Sequence, residues 1–205
     1  MRENGYDPDD EGHDATIRAL AFGGASAGTA RRAYFLKAAT MQVETKLLDL
    51  GLVLPAPIVI PPGARLPFAF VRVRGNRAFV SGHAPQNSDG SVARPLGKVG
   101  RELTVEQGYA AARMTALSIL ASLHRELGDL DRVTAWLRVF GMVNSAPGFT
   151  AQPSVINGCS DLLLELYGPD RGAHSRSAVG MAELPFNIPV EIEAEVEIDG
   201  PRDRP

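Results

Sequence analysis

Hydrophobic and polar residues alternate over residues 68–74 and again over residues 77–81. This period-two pattern is typical of β-strands that bury one face. The two segments are separated by Gly75-Asn76, a dipeptide that favours a tight hairpin turn. Gly82 follows the second segment and is expected to end it. The pattern therefore predicts an antiparallel hairpin near the middle of the chain.

Two longer segments have apolar residues at helical spacing. In residues 104–127 leucines recur every three or four positions, and Thr104 with Gln107 forms a capping-box pattern at the start. A second helix is predicted over residues 150–167, where Gly168-Pro169 is expected to stop it. Both helices are long enough to cover one face of a sheet.

The remaining apolar segments complete an α+β layout. Residues 132–143 are rich in β-prone side chains, and two final strands are predicted over residues 176–184 and 190–198. A short helix is predicted over residues 44–50, and proline keeps residues 54–62 extended. The order strand, strand, helix, strand, helix, strand, strand predicts a mixed β-sheet with two helices packed on one face.

Composition narrows the functional classes. The chain has 205 residues, a net charge of −3 and one cysteine. The weakly acidic balance argues against nucleic acid as a partner, and a single cysteine cannot form an internal disulfide. The longest apolar stretch, residues 52–62, is interrupted by proline and is too short to span a membrane. An acidic N-terminus does not resemble a secretory signal, so a cytoplasmic location is expected.

The ends of the chain lack the regular hydrophobic pattern of its centre. Residues 1–40 are acidic and then rich in small residues, without a sustained helical or strand period, and are expected to be a flexible extension. Met41 is a candidate translation start, in which case the extension is not translated. The patterned domain is expected over residues 41–199, and residues 200–205 form a short C-terminal tail.

The residue pattern leaves few sites for chemistry. The four histidines are too far apart in sequence to form a helical metal-binding pair, and no metal site is expected. Cys159 is read as a buried, incidental cysteine. Arg176 shares its strand face with Ala178, Gly180 and Ala182, and small side chains beside a long cation leave a floor for a small anion. The alternative is that Arg176 is solvated and the small residues accommodate a helix.

The last strand carries a row of glutamates. Glu191, Glu193, Glu195 and Glu197 alternate with apolar residues, which is typical of a sheet with one wet face and one buried face. Four like charges repel one another, so a cation is expected nearby. The candidates are Arg72, Arg74 and Arg138.

Three segments resemble the RidA (YjgF) family. Residues 176–185 read Arg-Ser-Ala-Val-Gly-Met-Ala-Glu-Leu-Pro and are followed by Val-Glu-Ile-Glu-Ala at residues 190–194, which together resemble the C-terminal signature of the family. Residues 75–85 are similar to its second strand and Ser-Gly turn, and Asn157 stands at a similar helix start. The resemblance extends over residues 43–199 and is strongest to a larger, less characterised subgroup.

The resemblance implies a fold and a reaction. It implies a chorismate-mutase-like α+β fold that assembles as a homotrimer, with three clefts between subunits. It implies hydrolysis of reactive 2-imino or enamino acids to 2-oxo acids and ammonia, without a cofactor. The expected partners are therefore a small 2-imino or 2-oxo acid and other copies of the same chain.

The resemblance also assigns roles to residues. Arg176 matches the arginine that binds the substrate carboxylate, and Glu191 matches the glutamate that positions the attacking water. The other expected substrate-binding residues are Phe68, Ser81, Gly82, Asn157 and Ser177. Two positions depart from the family pattern: Phe68 replaces a usual tyrosine and so lacks a hydroxyl donor, and Ala178 replaces a frequent cysteine.

Two other functions remain open at this point. The first is a non-catalytic trimer that binds a small carboxylate and regulates or protects a partner, which the two departures favour. The second is RNA cleavage or translation inhibition, activities that have been attached to this family. The sequence pI of about 5.8 argues against RNA as a substrate.

Overall fold

A computed structural model describes residues 42–60, 63 and 65–200. The predicted extension over residues 1–40 and most of the predicted C-terminal tail lie outside the described residues. The helices are α1 (Gln42–Asp49), α2 (Val105–Leu127) and α3 (Gln152–Arg171). The strands are β1 (Val71–Arg74), β2 (Arg77–His83), β3 (Val133–Asn144), β4 (Ser175–Met181) and β5 (Val190–Ile198).

The five strands form one mixed sheet in the order β1-β2-β5-β3-β4. The pairs β1–β2, β2–β5 and β5–β3 are antiparallel, whereas β3 and β4 are parallel. The connection between the parallel strands runs through α3, as a parallel pair requires a crossover. The predicted α+β class and the predicted mixed sheet are therefore confirmed.

Several predicted boundaries were wrong by a few residues. Pairing in β1 begins at Val71 rather than at residue 68, and β2 continues through Gly82 to His83. The strand β4 ends at Met181 rather than at residue 184. Within α3 the backbone leaves helical geometry at the predicted stop, where Gly168 has a φ of 78° and a ψ of 177°, and a second short helical segment continues to Arg171.

One face of the sheet is buried under α2 and α3. On β5 the apolar residues Val190, Ile192, Val196 and Ile198 are at most 3% exposed, and the intervening glutamates point to the other face. The core also contains Trp136 from β3. Both long helices pack on this face, as predicted.

The helices α2 and α3 pack closely at a glycine. A Cβ built on Gly158 would lie 2.0 Å from the carbonyl oxygen of Tyr109 and 3.2 Å from the backbone nitrogen of Arg113. At Gly108, a Cβ would meet only the side chains of Val155 and Val99, at 3.1 to 3.2 Å. The two backbones are therefore in contact at Gly158, which fixes how α3 sits on α2.

The other face of the sheet carries alternating charges. One row across the strands, in register, is Arg72, Phe79, Glu195 and Arg138. Of the cations expected near the glutamates, Arg138 on β3 is the direct neighbour of Glu195, whereas Arg72 on β1 is separated from Glu195 by β2. The side chains of Phe79 and Arg138 are exposed on this face.

The short helix α1 is held by hydrogen bonds to a distant turn. The backbone N–H of Val43 donates to Asp131, and Glu44 accepts the backbone N–H of Leu130 at 2.7 Å. These contacts anchor the segment that precedes β1. No helix among the described residues is long and apolar enough to cross a membrane.

Candidate functional site

Four of the predicted site residues gather at one end of β2. We call Phe68, Ser81, Gly82 and Glu191 the Glu191 cluster. The pairing of β2 with β5 is irregular between Val80 and His83, at the point where Gly82 lies. A Cβ built on Gly82 would lie 2.0 Å from Oε1 of Glu191. The carboxylate of Glu191 therefore occupies the space that any side chain at position 82 would fill.

Hydrogen bonds hold the aromatic wall of this cluster. The Ser81 hydroxyl donates to the carbonyl of Ala69 at 2.8 Å, and the Ser81 N–H donates to the carbonyl of Phe70 at 3.0 Å. These bonds tie the segment that carries Phe68 to the end of β2. The ring of Phe68 is 51% exposed and packs edge-on against Phe70 at 5.4 Å between centroids. It can therefore offer an aromatic face to a bound molecule.

The environment of Glu191 favours its protonated form. Partial burial raises the pKa of this carboxyl, and the like charge of Glu193 on the same strand raises it further. A carboxylate with a raised pKa is a stronger proton acceptor than an ordinary glutamate. This property suits a group that takes a proton from water.

We expect Glu191→Gln to stabilise the protein at neutral pH. Because the folded-state pKa is raised, the carboxyl favours folding when it is protonated, below its unfolded pKa of about 4.3. That contribution is lost as the pH rises through the folded pKa. Thermal unfolding of wild type and variant should therefore give a modestly higher midpoint for the variant at pH 7 and no difference at pH 3.5.

A carboxyl of opposite behaviour provides the control for this measurement. Hydrogen bonds from its own backbone N–H and then from Thr104 lower the pKa of Glu106. Glu106→Gln should therefore give no stabilisation at pH 7. Equal midpoints for Glu191→Gln and wild type at neutral pH contradict the burial of the carboxylate described above.

A second group of side chains surrounds the predicted arginine. We call Arg176, Asn157, Ser160 and His174 the Arg176 cluster. Nη1 of Arg176 donates to Oδ1 of Asn157 at 2.8 Å and to Oγ of Ser160 at 3.0 Å. Both bonds come from the same nitrogen, so the other N–H donors of the guanidinium are the ones that can hold a carboxylate.

Further hydrogen bonds extend this arrangement beyond the arginine. Nδ1 of His174 lies 2.7 Å from the carbonyl of Gly172, which can only accept, so Nδ1 carries a proton. In the neutral ring, Nε2 then accepts the hydroxyl proton of Ser160 at 2.9 Å. Sequence reasoning missed Ser160 and His174. The spacing of three residues between Asn157 and Ser160 on a helix is a signal that could have identified the serine.

The structure tests the two readings of the Arg176 strand face. Arg176 is half-buried, and its guanidinium is hydrogen-bonded to Asn157 on α3. The space over the small residues of this strand face, where a small anion was expected, is nevertheless partly filled by other side chains. A Cβ on Gly180 would lie 2.8 Å from the Gln152 side chain and 2.9 Å from that of Ser145, so this glycine accommodates α3.

Within one chain, the Glu191 cluster and the Arg176 cluster are distant from each other. Glu191 pairs with Met142 of β3, which in turn pairs with Val179 of β4, so two strand spacings of about 10 Å in all separate Glu191 from β4. The side chain of Arg176 points toward α3, and that of Glu191 points to the opposite face of the sheet. Ser177, also a predicted site residue, is exposed on the side of the sheet away from Arg176.

Two other groups of potential chemical interest have structural roles. Burial raises the pKa of the Cys159 thiol to about 12, which agrees with the reading of an incidental cysteine. Oxygen atoms of Glu44, Asp129 and Asp131 lie within 4.8 Å of one another, as metal ligands could. Each of these carboxylates, however, accepts a backbone N–H, and Arg171 pairs with Asp131 at 3.1 Å. These contacts account for the cluster as the anchor of α1.

Comparisons with known proteins agree with this fold. Residues 44–193 match a sequence model described as "YjgF/chorismate mutase-like, putative endoribonuclease". Protein TCP17 from Trypanosoma cruzi is 40% identical over 161 residues, which cover 78% of this chain and 97% of that protein.

Two solved structures are also similar. The protein Atu1372 from Agrobacterium tumefaciens, described as of unknown function, has 36% identity and a TM-score of 0.71, covering 82% of this chain and 99% of that one. A protein described as a "putative endoribonuclease" from Shewanella oneidensis MR-1 has 30% identity and a TM-score of 0.68, covering 77% and 99% of the two chains. The matched region includes both clusters, and the chain thus belongs to the YjgF/chorismate mutase-like family.

Proposed function

We propose that this protein hydrolyses reactive 2-imino or enamino acids to 2-oxo acids and ammonia. The observation that carries the proposal is the geometry of Arg176. Its guanidinium is held by Asn157 and Ser160 through one nitrogen only. The rest of the planar fork matches the two oxygens of a carboxylate, the group that every 2-imino acid carries next to its C=N carbon.

The reaction needs water to add to the C=N carbon. Glu191 accepts a proton from that water as the C–O bond forms, the C=N electron pair moves onto the nitrogen, and the nitrogen takes up a proton from solvent, which gives a neutral tetrahedral carbinolamine. Protonated Glu191 then gives its proton to the amino nitrogen. The hydroxyl loses its proton to solvent as the C=O bond forms, the C–N bond breaks, and ammonia leaves with the bonding electron pair. The 2-oxo acid remains bound to Arg176 until it dissociates. General base catalysis of this kind contributes about 10²–10⁴-fold to the rate.

The site in this proposal is shared between two copies of the chain. Arg176 and Glu191 lie on opposite sides of the sheet within one chain. A substrate bound by Arg176 therefore meets the Glu191 cluster of a second copy. A homotrimer with three equivalent clefts satisfies this requirement, and Phe68 then forms an apolar wall of each cleft.

Two residues favour a second function. Phe68 has no hydroxyl, and Ala178 has no thiol, so two polar contacts of a typical family site are missing. A protein that binds a small carboxylate without hydrolysing an imine needs Arg176 but not those contacts. The alternative is therefore a non-catalytic trimer that binds a small carboxylate.

A coupled assay separates the two functions. An amino-acid oxidase produces an imino acid, and semicarbazide traps the portion that survives. Wild-type protein should lower the yield of trapped product, whereas Arg176→Ala should not, because charge-assisted hydrogen bonds of about 1.5–3 kcal/mol each are lost. Arg113→Ala is the matched control, since the guanidinium of Arg113 on α2 pairs with Glu165, which belongs to neither cluster.

The outcomes are distinct. Equal yields with and without wild-type protein exclude imine hydrolysis. If, in that case, a 2-oxo acid still binds to the wild-type protein but not to Arg176→Ala, the function is carboxylate binding without imine hydrolysis. Cleavage of a single-stranded RNA that persists in Arg176→Ala would favour the activity named for the Shewanella relative, although a net charge of −3 argues against it.

A further inference from the structure

A cavity lies on the helix side of the sheet, and its wall includes Phe70, the ring that packs against Phe68 of the Glu191 cluster. Its volume is about 310 Å³, at the lower end of the range for small-molecule sites. The apolar part of its wall comes from the extended segment before β1 and from the start of β1, and includes Pro57, Ile58, Ile60 and Phe70. The polar part comes from β2 and the C-terminal half of α2.

The buried polar groups in this wall bind one another. Nδ1 of His83 lies 2.7 Å from the carbonyl of Ser81 and therefore carries a proton, so Nε2 accepts the hydroxyl of Ser122 at 2.8 Å. Burial lowers the pKa of His83 to about 4, so the ring is neutral at pH 7. The inner wall thus carries no charge, and its hydrogen bonds are already made. An apolar group fits there better than a polar one.

The cation of the cavity is Arg125, which is exposed at its edge. Nη2 of Arg125 donates to Ser122 at 2.9 Å, and Nη1 donates to the carbonyl of Pro55 at 3.1 Å. These bonds fix the side chain while using two of the five N–H donors of a guanidinium. Among the described residues, no carboxylate forms an ion pair with Arg125. The described residues thus leave three N–H donors of Arg125 for a bound anion.

We propose that this cavity is a second ligand site, which binds a small monocarboxylate with an apolar body. The carboxylate pairs with Arg125 at the edge, and the apolar body packs against Ile58 and Phe70. Glu126 also lines the cavity. The site goes beyond the proposed hydrolase and does not depend on it.

Calorimetric titration with hexanoate and with hexanamide tests the proposal. The titrations use full-length Arg176→Ala protein, so that the Arg176 cluster cannot bind the carboxylate. Hexanoate should bind, and hexanamide, which has the same apolar body without the charge, should bind about tenfold more weakly. Adding Arg125→Gln should weaken hexanoate by about tenfold and leave hexanamide unchanged, whereas adding Arg113→Gln should change neither.

A second variant keeps the test decisive if Arg125→Gln fails to fold. Ile58→Trp narrows the cavity without touching the arginine, and should abolish binding of both compounds. Hexanoate that binds equally well to Arg125→Gln and Ile58→Trp proteins overturns the proposal. So does the absence of binding to Arg176→Ala protein when wild type binds hexanoate, because the carboxylate then uses the Arg176 cluster alone.

Discussion

Gly158→Ala is expected to destabilise the protein by about 3 kcal/mol or more. The added methyl group would lie 2.0 Å from the carbonyl oxygen of Tyr109 on α2. Because the obstacle is backbone, no side-chain rotation relieves the overlap, and α3 has to move away from α2. The cost exceeds the gain of up to about 1 kcal/mol that alanine normally brings to a helix interior. Urea unfolding followed by circular dichroism measures the change.

Gly108→Ala is the matched control for that substitution. It is the same change in the facing helix, but its methyl group meets the side chains of Val155 and Val99 at 3.1 to 3.2 Å, which are able to adjust. Its effect should stay within about 1 kcal/mol of zero. Similar stabilities for the Gly158→Ala and Gly108→Ala proteins would show that the helix backbones are not in contact at Gly158.

Gly82→Ala is expected to reduce the proposed imine hydrolysis by about 10²-fold while leaving the fold intact. The new methyl group would overlap Oε1 of Glu191, which is the far end of a flexible side chain. The carboxylate therefore rotates away and no longer reaches the attacking water. Steady-state kinetics should show the loss in kcat, with little change in KM, because Arg176 still binds the substrate carboxylate.

A double-mutant cycle identifies the cause of that loss. If Gly82 acts through Glu191, the Gly82→Ala, Glu191→Gln double variant should be no slower than Glu191→Gln alone. Multiplied losses in the double variant would mean that Gly82 contributes to the reaction independently of the carboxylate. If kcat is unchanged in Gly82→Ala, the carboxylate of Glu191 beside Gly82 is not the group that takes a proton from the attacking water.

Sequence patterns predicted the elements well where one face of the element is buried. The alternation of Ile192 and Val196 with glutamates in β5, and the leucine spacing in α2, both follow directly from burial against a sheet or helix. Local rules failed where tertiary contacts override them. Residues 68–70 alternate like a strand but are not paired as one, and a second helical segment follows the break at Gly168 in α3.

The candidate site was only partly predictable from the sequence, because contacts between distant segments also shape it. Arg176 was singled out by the small residues on its strand face, whereas the roles of Asn157, Gly82 and Glu191 came from the family resemblance; in the structure these four residues lie in two clusters. Local sequence shows neither the contact of Ser160 with Arg176 nor that of Ser122 with His83, because each joins a helix to a strand far away in the chain. The cavity beside Arg125 depends on three separate segments and has no local signature.

The separation of Arg176 from Glu191 within one chain has a genetic consequence. If each cleft draws one residue from each of two copies, chains that lack Arg176 and chains that lack Glu191 are individually inactive but complementary. Co-expression of the two defective forms would then restore a fraction of clefts that carry both intact residues. Because each such cleft needs two copies of the chain, specific activity would also fall on dilution, as the copies dissociate.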